Sequence, residues 1–342
     1  MISRTLYNMP RFMRNSVSVL VGLQHGDEGK GKISHYLAST KNYDAYVRFN
    51  GGPNAGHTIY AGEKKLVLHQ IPSGILNKKS CLISSGCVVD INKLNAEATM
   101  LKNIGIDTKK YLHIAYNAHI ITDSCIEEDK KSDSVGTTLA GIGPTYSRKA
   151  LRNGVRMCEL DTEYNVVDPN EFVYNHSNIF MEGAQGFELD IDNGDYPYVT
   201  SSPCITGAIF TNGVHPSITP KVYGVCKLYD TYVGSKEFQP KFQVFERLQK
   251  IGNEFGATTG RPRQCNWLNL TQLKRSINVN GVHVLYINKC DVIRELGTFI
   301  VIVNDKEQKF KTYKKMIDYV ESYIKHNTSV ESIIFSGNPK GI

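Results

Sequence analysis

The 342-residue sequence lacks several features that would assign it to a specialised class of protein. Its eight cysteines lie singly, without a Cys-x-x-Cys pair, so we expect reduced cysteines in a cytoplasmic protein rather than disulfides or a cysteine metal cluster. No apolar run approaches the roughly 20 residues of a membrane-spanning helix, so no membrane association is expected. The net charge of +7 is spread along the chain, and no basic run is interleaved with aromatic residues. We therefore expect anionic small molecules as ligands, and no nucleic acid.

The first residues lack acidic side chains. Residues 1–16 contain Arg4, Arg11 and Arg14 and no Asp or Glu, a composition only weakly similar to that of a transit peptide. We expect this segment to be a disordered or loosely packed extension. The rest of the chain, residues 17–342, is predicted to form one domain.

Apolar runs with the character of strands recur along the chain, and several end in a glycine, polar or charged residue. They lie at residues 17–21, 45–49, 81–83, 111–114, 179–181, 221–226 and 282–287, with a later strand predicted at 299–303 and an amphipathic helix at 312–324. This pattern is typical of a parallel sheet whose ligands gather at the carboxyl ends of the strands. It predicts an α/β fold, a single large domain with a mostly parallel central sheet flanked by helices, similar to P-loop NTPases.

A glycine-rich loop with two lysines follows the first predicted strand, at residues 22–32. A strand, a glycine loop and a helix form the usual cradle for phosphate groups. The loop is not a Walker A motif, because Gln24 replaces its first glycine and Gly31 its Mg²⁺-binding hydroxyl. A carboxylate inside the loop, that of Asp27, would repel phosphate. It therefore needs a chemical reason, such as holding Mg²⁺ or accepting a proton.

The loop at residues 26–32 resembles the signature loop of adenylosuccinate synthetases. Further matches to that family follow in the same order, at residues 51–58, 71–75, 135–138, 141–144, 182–186, 196–202, 256–261 and 288–291. The resemblance implies a ligase of AMP biosynthesis. It would join L-aspartate to IMP through a 6-phosphoryl-IMP intermediate and convert GTP to GDP and phosphate, with Mg²⁺ as cofactor.

The resemblance also implies the catalytic residues. Asp27 would be the general base that takes the N1 proton of IMP, so that O6 attacks the γ-phosphate of GTP, and would also bind Mg²⁺. His57 would be the catalytic acid, a role that suits a side chain with an ordinary pKa near neutrality. The carbonyl of Gly56 would complete the metal shell, and Lys30 would be the phosphate-binding cation.

Three groups of ligand-binding residues carry over by the same resemblance. The predicted IMP site consists of Asn54, Thr138, Arg152, Gln185 and Thr200, and the predicted aspartate site of Thr258, Thr259 and Arg261. The predicted GTP site consists of Gly26, Glu28, Gly29, Lys30, Gly31, Lys32, Thr58, Arg263, Lys289, Asp291, Ser336 and Gly337. The Asp291 carboxylate can accept hydrogen bonds from N1 and the 2-amino group of guanine. Adenine offers neither donor.

Arg152 matches a family arginine that crosses a dimer interface to the IMP phosphate of the partner. The resemblance therefore implies a homodimer with shared sites. Only 30 positions separate Arg152 from Glu182, where typical bacterial members carry a long helical insertion, so the chain resembles a compact form of the family.

Two other functions are open at this stage. A related viral-type synthetase uses dGMP in place of IMP, but its members tend to replace the loop aspartate with serine, whereas this chain has Asp27 and Glu28. A GTPase or GTP-binding module would need a standard Walker A motif and would leave the loop at 256–261 unexplained.

Overall fold

The computed structural model describes residues 16–61, 64–131, 136–256 and 260–338. The strands in these ranges are β1 (Ser16–Gly22), β2 (Ala45–Arg48), β3 (His57–Ala61), β4 (Lys64–Leu68), β5 (Ser80–Ile83), β6 (Val88–Val89), β7 (Leu112–Ala115), β8 (His119–Ile120), β9 (Asn165–Val167), β10 (Asn178–Glu182), β11 (Lys221–Lys227), β12 (Tyr229–Tyr232), β13 (Gln264–Asn269), β14 (Val284–Asn288), β15 (Ile300–Val303), β16 (Lys306–Lys309) and β17 (Ser332–Phe335).

The α-helices of the same ranges are α1 (Lys30–Thr40), α2 (Ile91–Lys102), α3 (Thr108–Tyr111), α4 (Asp123–Lys131), α5 (Ile142–Leu151), α6 (Pro169–Asn175), α7 (Gln243–Gly252), α8 (Leu270–Asn280), α9 (Cys290–Leu296) and α10 (Tyr313–Asn327). Several begin at a side chain that caps the first turn. Asp90 accepts a hydrogen bond from the backbone N–H of Lys93 before α2, and Asp168 accepts from Asn170 before α6. No helix among the described residues is long and apolar enough to cross a membrane.

Nine strands form one central sheet in the order β17–β14–β11–β1–β10–β2–β5–β7–β9. Every neighbouring pair in it is parallel. β1 is the fourth strand in this order and lies between β10 and β11. Its valines favour an extended backbone, and both of its faces are buried, as expected for a strand covered on each side. The loop after β1 therefore emerges from the interior of the sheet, between the ends of β10 and β11.

Smaller sheets flank the central one. β12, β13, β15 and β16 form a four-stranded mixed sheet, β3 and β4 an antiparallel hairpin, and β6 and β8 a short parallel pair. Gln24 joins the four-stranded sheet to the central one. Its side-chain amide donates to the carbonyls of Lys227 (3.3 Å) and Tyr229 (3.1 Å) and accepts from the backbone N–H of Lys227 at 2.8 Å.

The predicted fold class is confirmed, and each of the seven predicted runs corresponds to a strand of the central sheet. Two details differ, because Tyr111 ends helix α3 instead of beginning a strand and the seventh strand begins at Val284. The late strand predicted at 299–303 is β15, which belongs to the small sheet. The domain boundaries at residues 16 and 17 remain predictions, since residues 1–15 lie outside the described ranges.

Candidate active site

Charged and polar side chains gather where the central strands end. β2 ends at Arg48, β10 at Glu182, β11 at Lys227 and β14 at Asn288, and the glycine loop follows β1 at Gly22. Parallel strands end at the same edge of a sheet, and ligands of such sheets bind at that edge. The fold therefore brings together motifs that lie far apart in sequence.

The loop between β1 and α1 folds around its own carboxylate. Glu28 is buried and accepts hydrogen bonds from the backbone N–H groups of Gln24 (3.1 Å) and Gly26 (3.0 Å). The ammonium group of Lys30 forms an ion pair with the same carboxylate at 2.5 Å. Convergent N–H groups beside a lysine form an anion-binding nest. The loop thus has the anion site that its sequence predicts, and the anion it holds is Glu28.

Two glycines let the loop pack closely against its neighbours. A Cβ atom at Gly22 would lie 2.6 Å from the carbonyl oxygen of Gln185 and 2.6 Å from the Glu28 carboxylate. A Cβ atom at Gly31 would lie 2.9 Å from the backbone of His57. Any larger residue at either position would have to move the backbone. The close approach at Gly31 also holds His57 against the start of α1.

Asp27 stands at the exposed side of the loop, in the left-handed backbone region with a φ of +58°. Its side chain is 35% exposed, and its Oδ2 lies 2.7 Å from Nε of Arg263. Arg263 also donates from Nη1 to Glu254 at 2.6 Å. Burial acts to lower the pKa of Arg263, but the carboxylates of Asp27 and Glu254 raise it. The predicted base is thus accessible to a ligand and paired with a permanently charged guanidinium.

His57 lies in a buried network at the ends of β2 and β10. Its Nδ1 is 2.7 Å from Oε1 of Glu182, and Arg48 lies 3.2 Å from each ring nitrogen. Ser34 donates to the second oxygen of Glu182 at 2.6 Å, and Ser73 donates to it through its backbone N–H at 3.0 Å. The predicted acid is therefore already oriented by Glu182 and Arg48.

Burial and the neighbouring Arg48 lower the pKa of His57 to about 4, although Glu182 acts in the opposite direction. Burial acts to raise the pKa of Glu182, but Arg48 and His57 hold it well below its usual range. Near neutral pH the imidazole is therefore neutral and Glu182 is ionised. A neutral imidazole can donate one hydrogen bond, and the proton on Nδ1 faces Glu182.

Acidification should destabilise the fold through His57. The pKa of His57 is about 4 in the folded chain and that of an ordinary histidine is 6.5. Between these values the unfolded chain binds a proton that the folded chain does not, so stability falls as the pH decreases from 6.5 towards 4. We expect acidification from about pH 7 to about pH 5 to lower the thermal unfolding midpoint more in the wild type than in His57→Asn, because the variant lacks this contribution. The same change of midpoint in both proteins would contradict the burial of a neutral histidine.

The predicted guanine-binding segments meet beside α1. Lys32 donates from Nζ to the Ser336 hydroxyl at 2.9 Å and to the Asn338 carbonyl at 3.0 Å. A Cβ atom at Gly337 would lie 3.1 Å from the backbone nitrogen of Asp291. The structure thus brings Lys32, Asp291 and the turn after β17 into one cluster, as the sequence motifs predict.

The motif at residues 288–291, which contains Asp291 and is called the guanine motif below, is also joined to the glycine loop. The side-chain amide of Asn288 donates to the carbonyl of Glu28 at 2.7 Å. Lys289 adopts the left-handed conformation, with a φ of +62°, and donates from Nζ to the Gly252 carbonyl at 2.7 Å. The guanine motif and the phosphate loop are therefore in direct contact.

Part of the predicted IMP site lies beside the glycine loop. Oε1 of Gln185 is buried and has no hydrogen-bond partner among the described residues, and it would lie 2.6 Å from a Cβ atom at Gly51. Asn54 accepts from the backbone N–H of Gly52 at 3.2 Å, and Thr200 is half-buried. A buried, unpartnered oxygen is a group that a ligand donor would satisfy.

Two other predicted IMP-binding residues lie at the surface. Thr138 is exposed in the loop before α5, and Arg152 is exposed at the C-terminal end of that helix, with a φ of +64°. An exposed guanidinium at a helix end is available to a neighbouring molecule. The position of Arg152 is therefore compatible with the predicted role across an interface.

The loop at residues 256–263 contains the predicted aspartate-binding residues and is called the aspartate loop below. The structure describes only part of it. Thr258 and Thr259 lie outside the described residues. Arg261 donates from Nη1 to the carbonyls of Gly136 (3.2 Å) and Thr137 (3.0 Å). Arg261 thereby joins the aspartate loop to the loop that carries Thr138.

Several residues of the site are absent from the sequence-based prediction. Arg48 and Glu182 orient His57, and Glu254 pairs with Arg263, while Lys227 lies behind the site as a second partner of Glu254. Arg48 is the charged residue within the run at 45–49, Lys227 directly follows the run at 221–226, and Glu182 opens a matched motif, so the sequence contains a signal for these three. Glu254 had no such signal apart from its position two residues before the aspartate loop.

A family model described as adenylosuccinate synthetase matches residues 19–169 and 161–334 of the chain. A protein named adenylosuccinate synthetase from Chlorobaculum parvum is 40% identical over 340 residues, which cover 81% of this chain and 77% of the relative. A protein of the same name from Acetivibrio thermocellus is 39% identical over 351 residues, covering 86% and 82% of the two chains.

Solved structures agree with the sequence matches. A fully ligated adenylosuccinate synthetase from Plasmodium falciparum superposes with a TM-score of 0.83 at 28% identity, covering 95% of this chain and 98% of the other. The succinoaminodeoxyadenylate synthetase of cyanophage S-2L, bound to dGMP and dATP, has a TM-score of 0.76 at 20% identity, with 95% and 93% covered, and shares the fold. From the family model, the relatives and the fold together, the chain belongs to the adenylosuccinate synthetase family.

Proposed function

We propose that Asp27, His57 and Lys30 form the centre at which this enzyme activates O6 of IMP. As a member of its family, the chain is a GTP-dependent ligase that joins L-aspartate to IMP. The contact between Asn288 and Glu28 is the observation that carries the site assignment. This contact supports the proposal that a single GTP molecule binds with its base at the guanine motif and its phosphates at the glycine loop.

The first chemical step is a phosphoryl transfer. Asp27 takes the proton from N1 of IMP, and the electron density passes to O6. O6 then attacks the γ-phosphorus of GTP, the bond to the bridging oxygen breaks, and GDP leaves. Lys30 and the loop N–H groups are positioned to stabilise the charge on the phosphate oxygens. Glu28 occupies this nest, so its carboxylate must move aside or share the nest when phosphate binds.

The second step is a displacement at C6. The amine of L-aspartate attacks C6, the C6–O6 bond breaks, and the phosphate leaves with O6. The amine loses a proton, and adenylosuccinate is formed. Arg261 carries the charge that would bind an aspartate carboxylate, beside the predicted hydroxyls of Thr258 and Thr259. Its hydrogen bonds to the carbonyls of Gly136 and Thr137, in the loop that carries Thr138, support a position of this charge beside IMP.

Before the substrates bind, His57 is a neutral hydrogen-bond donor. For Nδ1 to reach O6 or the transferred phosphoryl group, it must leave Glu182, whereas for Nε2 to do so the ring must change tautomer and separate from Arg48. The negative charge of GTP would favour the protonated ring and thereby counteract the effect of burial on its pKa. Substrate binding would thus favour the protonated imidazole that the buried network disfavours.

The proposed Mg²⁺ site consists of Asp27 and the carbonyl of Gly56. The described residues contain no group of three or more His, Cys, Asp or Glu side chains able to hold a metal. Mg²⁺ usually takes one or two protein carboxylates and completes its shell with water and substrate phosphates. A single accessible carboxylate on a phosphate loop fits this preference. When bound, the ion would neutralise charge on the transferring phosphate.

We further propose a homodimer in which Arg152 reaches the IMP of the partner. Its exposure at the end of α5, beside an exposed Leu151, supports this role. A two-fold interface delivers the arginine in both directions and so creates two shared sites. We also propose a cytoplasmic location, which the eight free cysteines support.

Mixing two inactive variants should restore activity if Arg152 acts across the interface. In a heterodimer of Arg152→Ala and Asp27→Asn, one site combines the intact Asp27 of one subunit with the intact Arg152 of the other. Random pairing should give up to about a quarter of wild-type activity, because half of the dimers have one intact site of two. No recovery after demonstrated subunit exchange would place Arg152 in its own subunit's site or outside any site.

The substrate assignment is tested by offering IMP and dGMP separately with L-aspartate and GTP. We expect adenylosuccinate from IMP and little product from dGMP, because the loop retains Asp27. GTP without IMP and aspartate should be hydrolysed slowly. Rapid GTP hydrolysis that is independent of both substrates would instead indicate a GTPase, and preferential use of dGMP would indicate the viral-type reaction.

A further inference from the structure

One buried carboxylate beneath the aspartate loop has no role in the steps above. Glu254 is 0% exposed and lies among four side chains from other segments. Nη1 of Arg263 donates to it at 2.6 Å, Nζ of Lys227 lies 3.4 Å from each of its oxygens, and Nζ of Lys289 lies 4.0 Å away. The hydroxyl of Tyr229 donates to it as well. Glu254 thus joins β11, β12, the aspartate loop and the guanine motif.

Several charged groups cluster around Glu254. Three cations surround one carboxylate, and Asp27 supplies one further negative charge, through Arg263. Burial acts to raise the pKa of Glu254, but Lys227, Arg263 and Lys289 lower it to about 2, so it is ionised. Asp230 and Asp291 also interact electrostatically with Lys227 and Lys289, so the cations of this cluster are shared among several carboxylates.

Glu254 also closes the base of the aspartate loop. Its carbonyl accepts from the backbone N–H of Arg263 at 2.9 Å, and an antiparallel bridge joins Phe255 to Pro262 directly above. The backbone and side-chain bonds between Glu254 and Arg263 therefore fix the two ends of the loop together. Through the guanidinium of Arg263, the same contact reaches Asp27.

We propose that Glu254 is a positioning residue that holds Arg263 against Asp27 and Lys289 beside the guanine motif, and so couples the aspartate loop to the GTP site. The proposal rests on the function proposed above, in which Arg263 and Lys289 bind GTP. Since one carboxylate serves both cations, the geometry at one motif depends on that at the other. A neutral side chain at position 254 would release both.

A purely structural role is the alternative. Lys227 is only 1% exposed and forms a buried ion pair with Glu254. Removing one member of a buried ion pair leaves an uncompensated charge and destabilises the fold, whereas replacing both members with neutral groups of similar volume is often tolerated. Lys227 has no role in the proposed chemistry. It therefore offers a way to separate stability from positioning.

The test compares Glu254→Gln, Lys227→Met and the double variant with the wild type. Thermal unfolding measures stability, calorimetry with GTP measures affinity without turnover, and steady-state kinetics give kcat/KM for GTP and KM for IMP. Glu254→Gln should lose stability, and its kcat/KM for GTP should fall about 10- to 150-fold, the effect of one lost hydrogen bond to a charged group. Lys227→Met should keep kcat/KM for GTP near the wild-type value.

The double variant decides between the two roles. Positioning predicts that it regains stability while its GTP affinity and kcat/KM for GTP stay low and its KM for IMP is little changed. Recovery of GTP affinity and turnover together with stability would overturn the proposal. So would a folded Glu254→Gln variant with wild-type GTP kinetics. A wild-type protein that binds GTP but makes no adenylosuccinate would refute the proposed function, while the calorimetric comparison would still test Glu254.

Discussion

Replacing Asp27 with asparagine should nearly abolish turnover. The substitution keeps the shape of the side chain but removes the group that accepts the N1 proton and the charge that attracts Mg²⁺. Loss of a general base typically lowers a rate by about 10²–10⁴. The fold should survive, because Asp27 is accessible and Arg263 retains its bond to Glu254. Kcat measured at saturating IMP, aspartate and GTP checks this expectation.

Asp107→Asn is the matched control for the same chemical change. Asp107 is exposed and caps helix α3 by accepting from the backbone N–H of Lys109, and asparagine caps a helix about as well. This variant should have wild-type turnover. If Asp27→Asn also kept near-wild-type turnover, the proton acceptor would have to be another group, and the assigned mechanism would be wrong.

Replacing Asp291 with asparagine should weaken the selection of guanine. The amide offers one oxygen where guanine presents two donors, so a charge-assisted hydrogen bond is lost. Such a bond contributes roughly 1.5–3 kcal/mol, which corresponds to about 10–150-fold in kcat/KM for GTP. The KM values for IMP and aspartate should change little. ITP, which lacks the 2-amino group, should be affected less than GTP.

Asp305→Asn is a suitable control for this second substitution. Asp305 is exposed in the turn between β15 and β16 with a φ of +58°, a conformation that asparagine adopts readily. It should leave the kinetics with GTP unchanged. Equal use of ATP and GTP by the wild-type enzyme would remove the basis for assigning Asp291 to guanine.

Much of the fold could be predicted from sequence because its central strands are continuous apolar runs. The run at β1 is buried on both faces, so it can be recognised as a strand from its own sequence, without knowing which strands pair with it. The spatial order of the strands was not predicted, since β1 pairs with β10 and β11, which follow it by more than 150 residues. The late strand β15 was recognised, but its place in the small sheet depends on pairing with β13 and β16.

Site residues could be predicted where they belong to a motif of unusual composition. They could not be predicted where their role depends on contacts that form only in the folded chain. Asp27 is conspicuous because a carboxylate within a phosphate loop demands a reason. Glu28, next to it, was predicted to bind GTP, and only the fold shows that it fills the nest of N–H groups itself. Nothing in the sequence distinguishes Glu254 from other glutamates. Its role becomes visible only in the fold, where Lys227, Arg263 and Lys289 surround it.

The fate of the O6 atom tests the central claim most directly. IMP labelled with ¹⁸O at position 6 is converted with L-aspartate and unlabelled GTP, and the inorganic phosphate and water are analysed by mass spectrometry. If the loop activates O6 by phosphoryl transfer, each inorganic phosphate released should carry one ¹⁸O atom. Unlabelled phosphate, with the ¹⁸O released into water, would show that O6 never attacks GTP and would contradict the role assigned to Asp27 and its loop.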